Sequence, residues 1–299
     1  MITTNIPSNR IKTIPHRKMI LGNTPSEKNQ QVHKGLASVV VGESSIAKID
    51  GENGSLSYRG YDIGDLARYS TFEEVVYLLW YGELPTQAAL ETFSAELAAQ
   101  RDINDTTWQV LSILPQNIAT MDALKTALST LACTDPSNGN GKVNHNNNFK
   151  IALKLVAKFP TIVANYYRIL QGKERIHPDS TLSHAANFLY MLHGVRPNQT
   201  QANALDQAML LMAEHGFNAS TFAARVTAST LSDMYAAITS AIGTLKGPLH
   251  GGANQKAMEM MFEIGEIDSI EPYINESLAK KQRIMGFGHR VYKQTPDPR

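Results

Sequence analysis

From Ser70 onward the apolar residues recur at helical spacing. Phe72, Val75, Val76 and Leu79 keep the i, i+3, i+4, i+7 rhythm, Ser70 and Glu73 are placed as a capping box, and Gly82 marks a stop. Thr86 suits the N-cap of the next helix, whose buried face carries Leu90, Phe93 and Leu97. The remainder repeats this pattern of amphipathic helix and short polar loop, and the longest loop is the Asn-, Gly- and Ser-rich stretch from Thr134 to Asn148. Upstream the rhythm is different. Val39–Val41, Ile46–Ile49 and Leu56–Tyr58 are short β-type runs, and Asp50-Gly51 and Asn53-Gly54 supply turns for a small hairpin or meander. Residues Asn218–Leu231 are rich in Ala, Ser and Thr, which lets helices approach closely and predicts a buried or subunit-facing helix. Ser232 can cap the next helix, which ends at Gly247-Pro248. A further helix then places Ala257, Met260, Met261 and Ile264 on one face, Ser269 starts the last one, and Arg283–His289 returns as a loop. No fixed-period repeat is present, so a solenoid is not expected. The expected fold is mainly α with a small N-terminal β-hairpin. Residues 1–34 form a flexible tail, 35–251 a large helical domain, and 252–299 the start of a smaller one.

Composition narrows the class. Hydrophobic residues make up 42% and charged residues 18%, as in globular proteins. A formal net charge of +1 offers no electrostatic footprint for nucleic acid or an anionic membrane. Cys133 is the only cysteine, so no intrachain disulfide can form. Its apolar surroundings, Leu128–Cys133, predict a small packed residue. Residues 1–26 are basic but lack an apolar h-region and are interrupted by Pro7, Pro15 and Pro25, so neither a signal nor a transit peptide is read. No apolar stretch is long enough to span a bilayer. The expected location is the cytoplasm. His177, His184 and His193 do not share a helix turn, and no metal site is expected.

Two histidines lie in glycine-flanked bends, His250 in Gly247-Pro248-Leu249-His250-Gly251-Gly252 and His289 in Gly286-Phe287-Gly288-His289-Arg290. His250 precedes a helix starting near Ala253, where the macrodipole lowers a histidine's pKa and favours the neutral ring. A neutral imidazole can donate to a carbonyl oxygen and stabilise an enolate; the alternative is a capping histidine. Gly286 and Gly288 lack the third glycine and the βαβ context of a dinucleotide fingerprint, which leaves bare backbone for a ligand or a structural turn. His215 falls at a helix break, as a cap, a packed polar residue or a ligand. Arg299 has a fork suited to a carboxylate, or is simply solvated.

Together these motifs resemble the citrate synthase family. Asp50-Gly51-Glu52, Leu56-Ser57-Tyr58-Arg59-Gly60-Tyr61, Glu73-Glu74-Val75 and Leu78-Leu79-Trp80-Tyr81-Gly82-Glu83-Leu84-Pro85 are similar to that family's N-terminal region. His215 with Asn218-Ala219-Ser220-Thr221, the His250 turn, and the His289 loop with Asp297-Pro298-Arg299 follow in family order. The resemblance implies a two-domain, nearly all-α homodimer or larger homo-oligomer that condenses acetyl-CoA with oxaloacetate to citrate, a step of the tricarboxylic acid cycle. It implies no cofactor beyond acetyl-CoA as a substrate. It assigns His250 to the thioester carbonyl, His289 to the oxaloacetate ketone, His215 and Arg299 to oxaloacetate binding, and the backbone at Ile284, Gly286 and Gly288 to CoA. A 2-methylcitrate synthase using propionyl-CoA would share these residues. The sequence departs from the family in reading Ala119-Thr120-Met121-Asp122 where relatives commonly have His-Pro-Met-Asp. The family's proton-abstracting aspartate lies beyond the Asp-Pro-Arg motif. The expectation is therefore an incomplete small domain with impaired turnover, or a non-catalytic fragment that binds ligand or pairs with full-length subunits.

Overall fold

The computed structural model describes residues 39–138 and 145–299. The expected N-terminal tail, residues 1–34, lies outside them, as does the middle of the Asn-rich loop. Residues Ser44–Arg299 form one compact unit.

Three short strands, β1 (Ala47–Asp50), β2 (Ser55–Tyr58) and β3 (Tyr61–Asp62), make an antiparallel meander in chain order, with Ala47 opposite Tyr58 and Asp50 opposite Ser55. The Asp50 carboxylate accepts from the backbone of Glu52 and Asn53 and closes the turn between β1 and β2. Val39–Val41 form no strand and are exposed. Three β-branched residues without a partner strand have no ladder to join, and propensity alone does not hold them.

Twelve α-helices follow among the described residues: α1 (Ile63–Tyr69), α2 (Phe72–Tyr81), α3 (Gln87–Ala99), α4 (Asp105–Ile113), α5 (Thr120–Thr134), α6 (His145–Leu170), α7 (His184–His193), α8 (Gln199–Leu211), α9 (Ala219–Ser229), α10 (Met234–Leu245), α11 (Ala253–Ile264) and α12 (Ile270–Ala279). The capping box of α2 is Thr71 with Glu74, one residue later than the sequence suggested. Glu73 is instead buried, and its carboxylate accepts from the backbone N–H of His184 at the start of α7. Likewise Asp233, not Ser232, caps α10. The Asn-rich loop is shorter than expected, because α6 already begins at His145. Cys133 is exposed on α5 rather than packed.

Two clusters make the core. One joins α4, α5, α6 and α10 through residues such as Trp108, Leu128, Ile162 and Tyr235. Beside it, Asp135 after α5 binds Lys154 of α6 at 2.8 Å and Tyr235 of α10 at 2.6 Å. Burial alone would raise the Asp135 carboxyl, but these bonds and those from Ser137 outweigh it and hold it well below the usual carboxylate range. The second cluster packs the meander against α1, α2 and α8 through Leu56, Tyr58, Ile63, Leu66, Val75, Leu78 and Leu210. This second cluster carries the site.

Candidate active site

The last carbonyls of a helix need partners from outside it. At the end of α8 they meet Tyr58, which is fully buried on β2. Its hydroxyl lies 3.4 Å from Leu210 O, 3.1 Å from Leu211 O and 2.9 Å from Glu214 O, and it accepts from Glu214 N at 3.2 Å. Burial pushes the Tyr58 phenol up to about 12, so it keeps its proton. The bond pins the turn that carries His215, and the Glu214 carboxylate accepts from Gly216 N one residue further on. Asn218 then caps α9.

The far end of the chain returns to the same place. Residues 291–296 cross the β1–β2 turn so closely that a Cβ on Gly51 would stand 2.6 Å from Val291 O. Tyr292 is buried there. Its hydroxyl is 3.1 Å from His215 Nε2, its ring stacks on His289 at 4.9 Å, and the two imidazoles meet edge-on at 5.4 Å. His289 Nδ1 accepts from the backbone N–H of Val291 at 3.1 Å and of Tyr292 at 3.2 Å. A nitrogen that accepts cannot also carry the proton, so the neutral ring holds its hydrogen on Nε2. Burial, followed by the positive charge of Arg299, lowers the pKa of His215 and favours its neutral form. Arg299 grips Asp297 through Nε at 2.9 Å and Nη2 at 2.6 Å, and Nη1 makes no protein hydrogen bond among the described residues. The Asp297 carboxyl is lowered in return, first by that bond.

His250 sits in the turn between α10 and α11. It does not cap α11, whose N-cap is Gly252 without a side-chain bond. A Cβ on Gly251 would fall 2.0 Å from Leu245 O, so only glycine lets the turn fold back on α10. His250 Nε2 lies 2.8 Å from Ser220 Oγ. The segment 214–220 therefore serves both halves of the site, with His215 facing Tyr292 and His289 and Ser220 facing His250. Ile284 is half-buried, whereas Gly286, Phe287 and Gly288 form an open turn with φ of +85° and +83° at the two glycines. Among the described residues no carboxylate is hydrogen-bonded to His250 or His289, and no group of side chains could hold a metal ion. Sequence reasoning missed Tyr58, Glu214, Ser220 and Tyr292 as parts of this arrangement. Only Ser220 had a usable signal, its place in the Asn218-Ala219-Ser220-Thr221 run shortly after His215.

Two bend-borne histidines, His250 and His289, are thus carried on a mainly helical body, and the 214–220 segment reaches both of them, through Ser220 and His215. The family profile of the citrate synthase C-terminal domain matches residues 35–299. The chain is 46% identical over 273 residues to the citrate synthase of Haloferax volcanii, covering 90% of this chain and 72% of that enzyme. It is also 46% identical over 267 residues to the 2-methylcitrate synthase of Mycobacterium tuberculosis, covering 89% and 67%. The citrate synthase of Thermoplasma acidophilum, solved as a ternary complex with carboxymethyl coenzyme A and oxaloacetate, superposes with a TM-score of 0.80 at 32% identity, covering 88% of this chain and 68% of that one. The chain belongs to the citrate synthase family, and it is an enzyme of that type.

Proposed function

We propose that this protein condenses acetyl-CoA with oxaloacetate and water to give citrate and CoA. The observation that carries this reading is the gathering of His215 and His289 around Tyr292, with Arg299 near enough to act electrostatically on His215 and Tyr292 and the His289 N–H left on Nε2. In this scheme His289 Nε2–H polarises the oxaloacetate ketone and supplies a proton to the alkoxide as the carbon–carbon bond forms. Arg299, through Nη1, and His215 hold oxaloacetate carboxylate. Ser220 holds His250 by Nε2, which leaves Nδ1 for the thioester carbonyl, where a hydrogen bond stabilises the enolate once the methyl group loses its proton. The backbone at Ile284 and in the open turn at Gly286 and Gly288 receives CoA. The Thermoplasma complex supports both substrates.

Residues 35–251 act as the large domain and 252–299 as the beginning of the small one. The protein is a cytoplasmic homo-oligomer. Helix α9 supports association, because none of its residues is buried within the chain and Phe222 and Val226 face outward. No helix among the described residues is long and apolar enough to cross a membrane. Because no carboxylate among the described residues is hydrogen-bonded to His250, a polypeptide of these 299 residues alone is expected to bind oxaloacetate but turn over slowly. The Mycobacterium relative favours a second reading, in which propionyl-CoA replaces acetyl-CoA and the product is 2-methylcitrate.

The test is release of free thiol from acetyl-CoA or propionyl-CoA in the presence of oxaloacetate. It is run with the 299-residue chain, alone and with the C-terminal segment of a citrate synthase relative. Oxaloacetate-dependent release that disappears in His250→Ala and His289→Ala is expected, with acetyl-CoA the better substrate by kcat/KM. A preference for propionyl-CoA selects the second reading. A folded chain that releases no thiol from either acyl-CoA under both conditions refutes the condensation.

A further inference from the structure

We infer that Tyr292 is a positioning residue whose buried hydroxyl donates to His215 Nε2 and thereby fixes His215 with its proton on Nδ1, the opposite tautomer from His289. Tyr292 is 3% exposed, and among the described residues the His215 ring nitrogen at 3.1 Å is the only group hydrogen-bonded to its hydroxyl. Two arrangements satisfy that distance. If the imidazole donated, the phenol hydrogen of a residue only 3% exposed would have no acceptor among the described residues, an arrangement that proteins avoid because the lost hydration is not replaced. If the phenol donates, the imidazole hydrogen moves to Nδ1, which has no protein hydrogen bond among the described residues and belongs to a ring that is only part-buried. Only the second arrangement leaves no buried donor unpaired.

The same residue acts on the other histidine through its backbone, since the Tyr292 N–H shares His289 Nδ1 with the Val291 N–H and so keeps that proton on Nε2. One tyrosine thus holds both rings neutral-donor in complementary senses, His215 from Nδ1 and His289 from Nε2. On the proposed function, on which this consequence rests, the Nδ1–H of His215 meets an oxaloacetate carboxylate while the Nε2–H of His289 meets the ketone. Among the described residues no hydrogen bond joins the Asp-Pro-Arg motif to His215; Nε and Nη2 of Arg299 are turned onto Asp297.

The experiment is long-range proton–nitrogen NMR on the 299-residue chain with 15N-labelled histidine, the two resonances assigned by their loss in His215→Gln and His289→Gln. The unsubstituted chain should show His215 protonated at Nδ1 and His289 at Nε2. In Tyr292→Phe, which keeps the ring stack, His215 should move to predominantly Nε2–H while His289 stays as it was. Isothermal titration with oxaloacetate should show about tenfold weaker binding in that variant. His215 found as the Nε2–H form in the unsubstituted chain overturns the inference without need of any variant. So does a His215 spectrum or an oxaloacetate affinity unmoved by Tyr292→Phe. If the unsubstituted chain shows the expected tautomers but binds no oxaloacetate, the substrate reading fails and the tautomer assignment stands.

Discussion

Replacing Tyr58 by phenylalanine removes one oxygen from the point where β2, the end of α8 and the His215 turn meet. The ring stays in the second core cluster, so packing is little changed. What is lost is the donor to Glu214 O at 2.9 Å, shared with Leu211 O and Leu210 O, and the acceptor for Glu214 N at 3.2 Å. Tyr58 is 0% exposed, so water cannot enter to take over these bonds without local opening. A buried polar group left unpaired costs about 1–3 kcal/mol, and here one N–H and the last helical carbonyls lose their partner together, which places the cost near about 2 kcal/mol. For a chain of this size that corresponds to a fall of roughly 4–8 °C in Tm. Urea unfolding followed by circular dichroism should show a lower midpoint with an unchanged slope. The same substitution frees the 212–216 turn, so oxaloacetate affinity should fall with stability. A stability change under about 0.5 kcal/mol, the range of inert surface substitutions, together with unaltered oxaloacetate binding, would refute the reasoning.

Three other outcomes are expected. Gly51→Ala places a Cβ against Val291 O at 2.6 Å, a backbone atom that cannot swing aside, so residues 291–296 must lift; oxaloacetate binding should weaken at least about tenfold with the helical circular dichroism retained. The Asp206 carboxyl is raised to about 6, chiefly by burial and then by the charge of Glu73. The folded state therefore holds a proton there that the unfolded chain releases near pH 4, and this contribution to stability is present below about 4 and lost as pH rises through 6. Asp206→Asn should flatten the stability profile over that window, and a slope identical to the parent's would contradict the assignment. Phe222→Glu on α9, aimed at the proposed subunit contact, should raise the dissociation constant of the oligomer at least about tenfold by analytical ultracentrifugation without altering the monomer's helix content.

Much of the fold was legible because helices are written locally. The faces carrying Val75 and Val76, and Phe93 and Leu97, are buried as their spacing predicts, and Gly82 and Thr86 end and cap the helices they were placed at. Errors of one residue came where a long-range partner competed. Glu73 would serve a capping box as well as Glu74, but only Glu73 reaches the backbone of His184, 111 positions away. The Val39–Val41 run had propensity and no partner.

The candidate side chains were legible too, and their company was not. His215, His250, His289 and Arg299 stand out through their flanking glycines and motif order, since a bend that exposes a side chain has a local sequence requirement. Tyr58, Ser220 and Tyr292 look like ordinary core or helix residues until the chain closes on itself and brings position 58 to 214, 220 to 250, and 292 to 215. By itself, then, the sequence determined the helical architecture, the meander and which candidate side chains stand in bends, because these depend on backbone propensity and periodicity over a few residues. The tertiary structure alone decided which ring nitrogen donates, which hydroxyl holds it and how Arg299 is turned. Those properties depend on hydrogen bonds between groups that chain order does not place together, in surroundings where burial makes each unpaired proton costly.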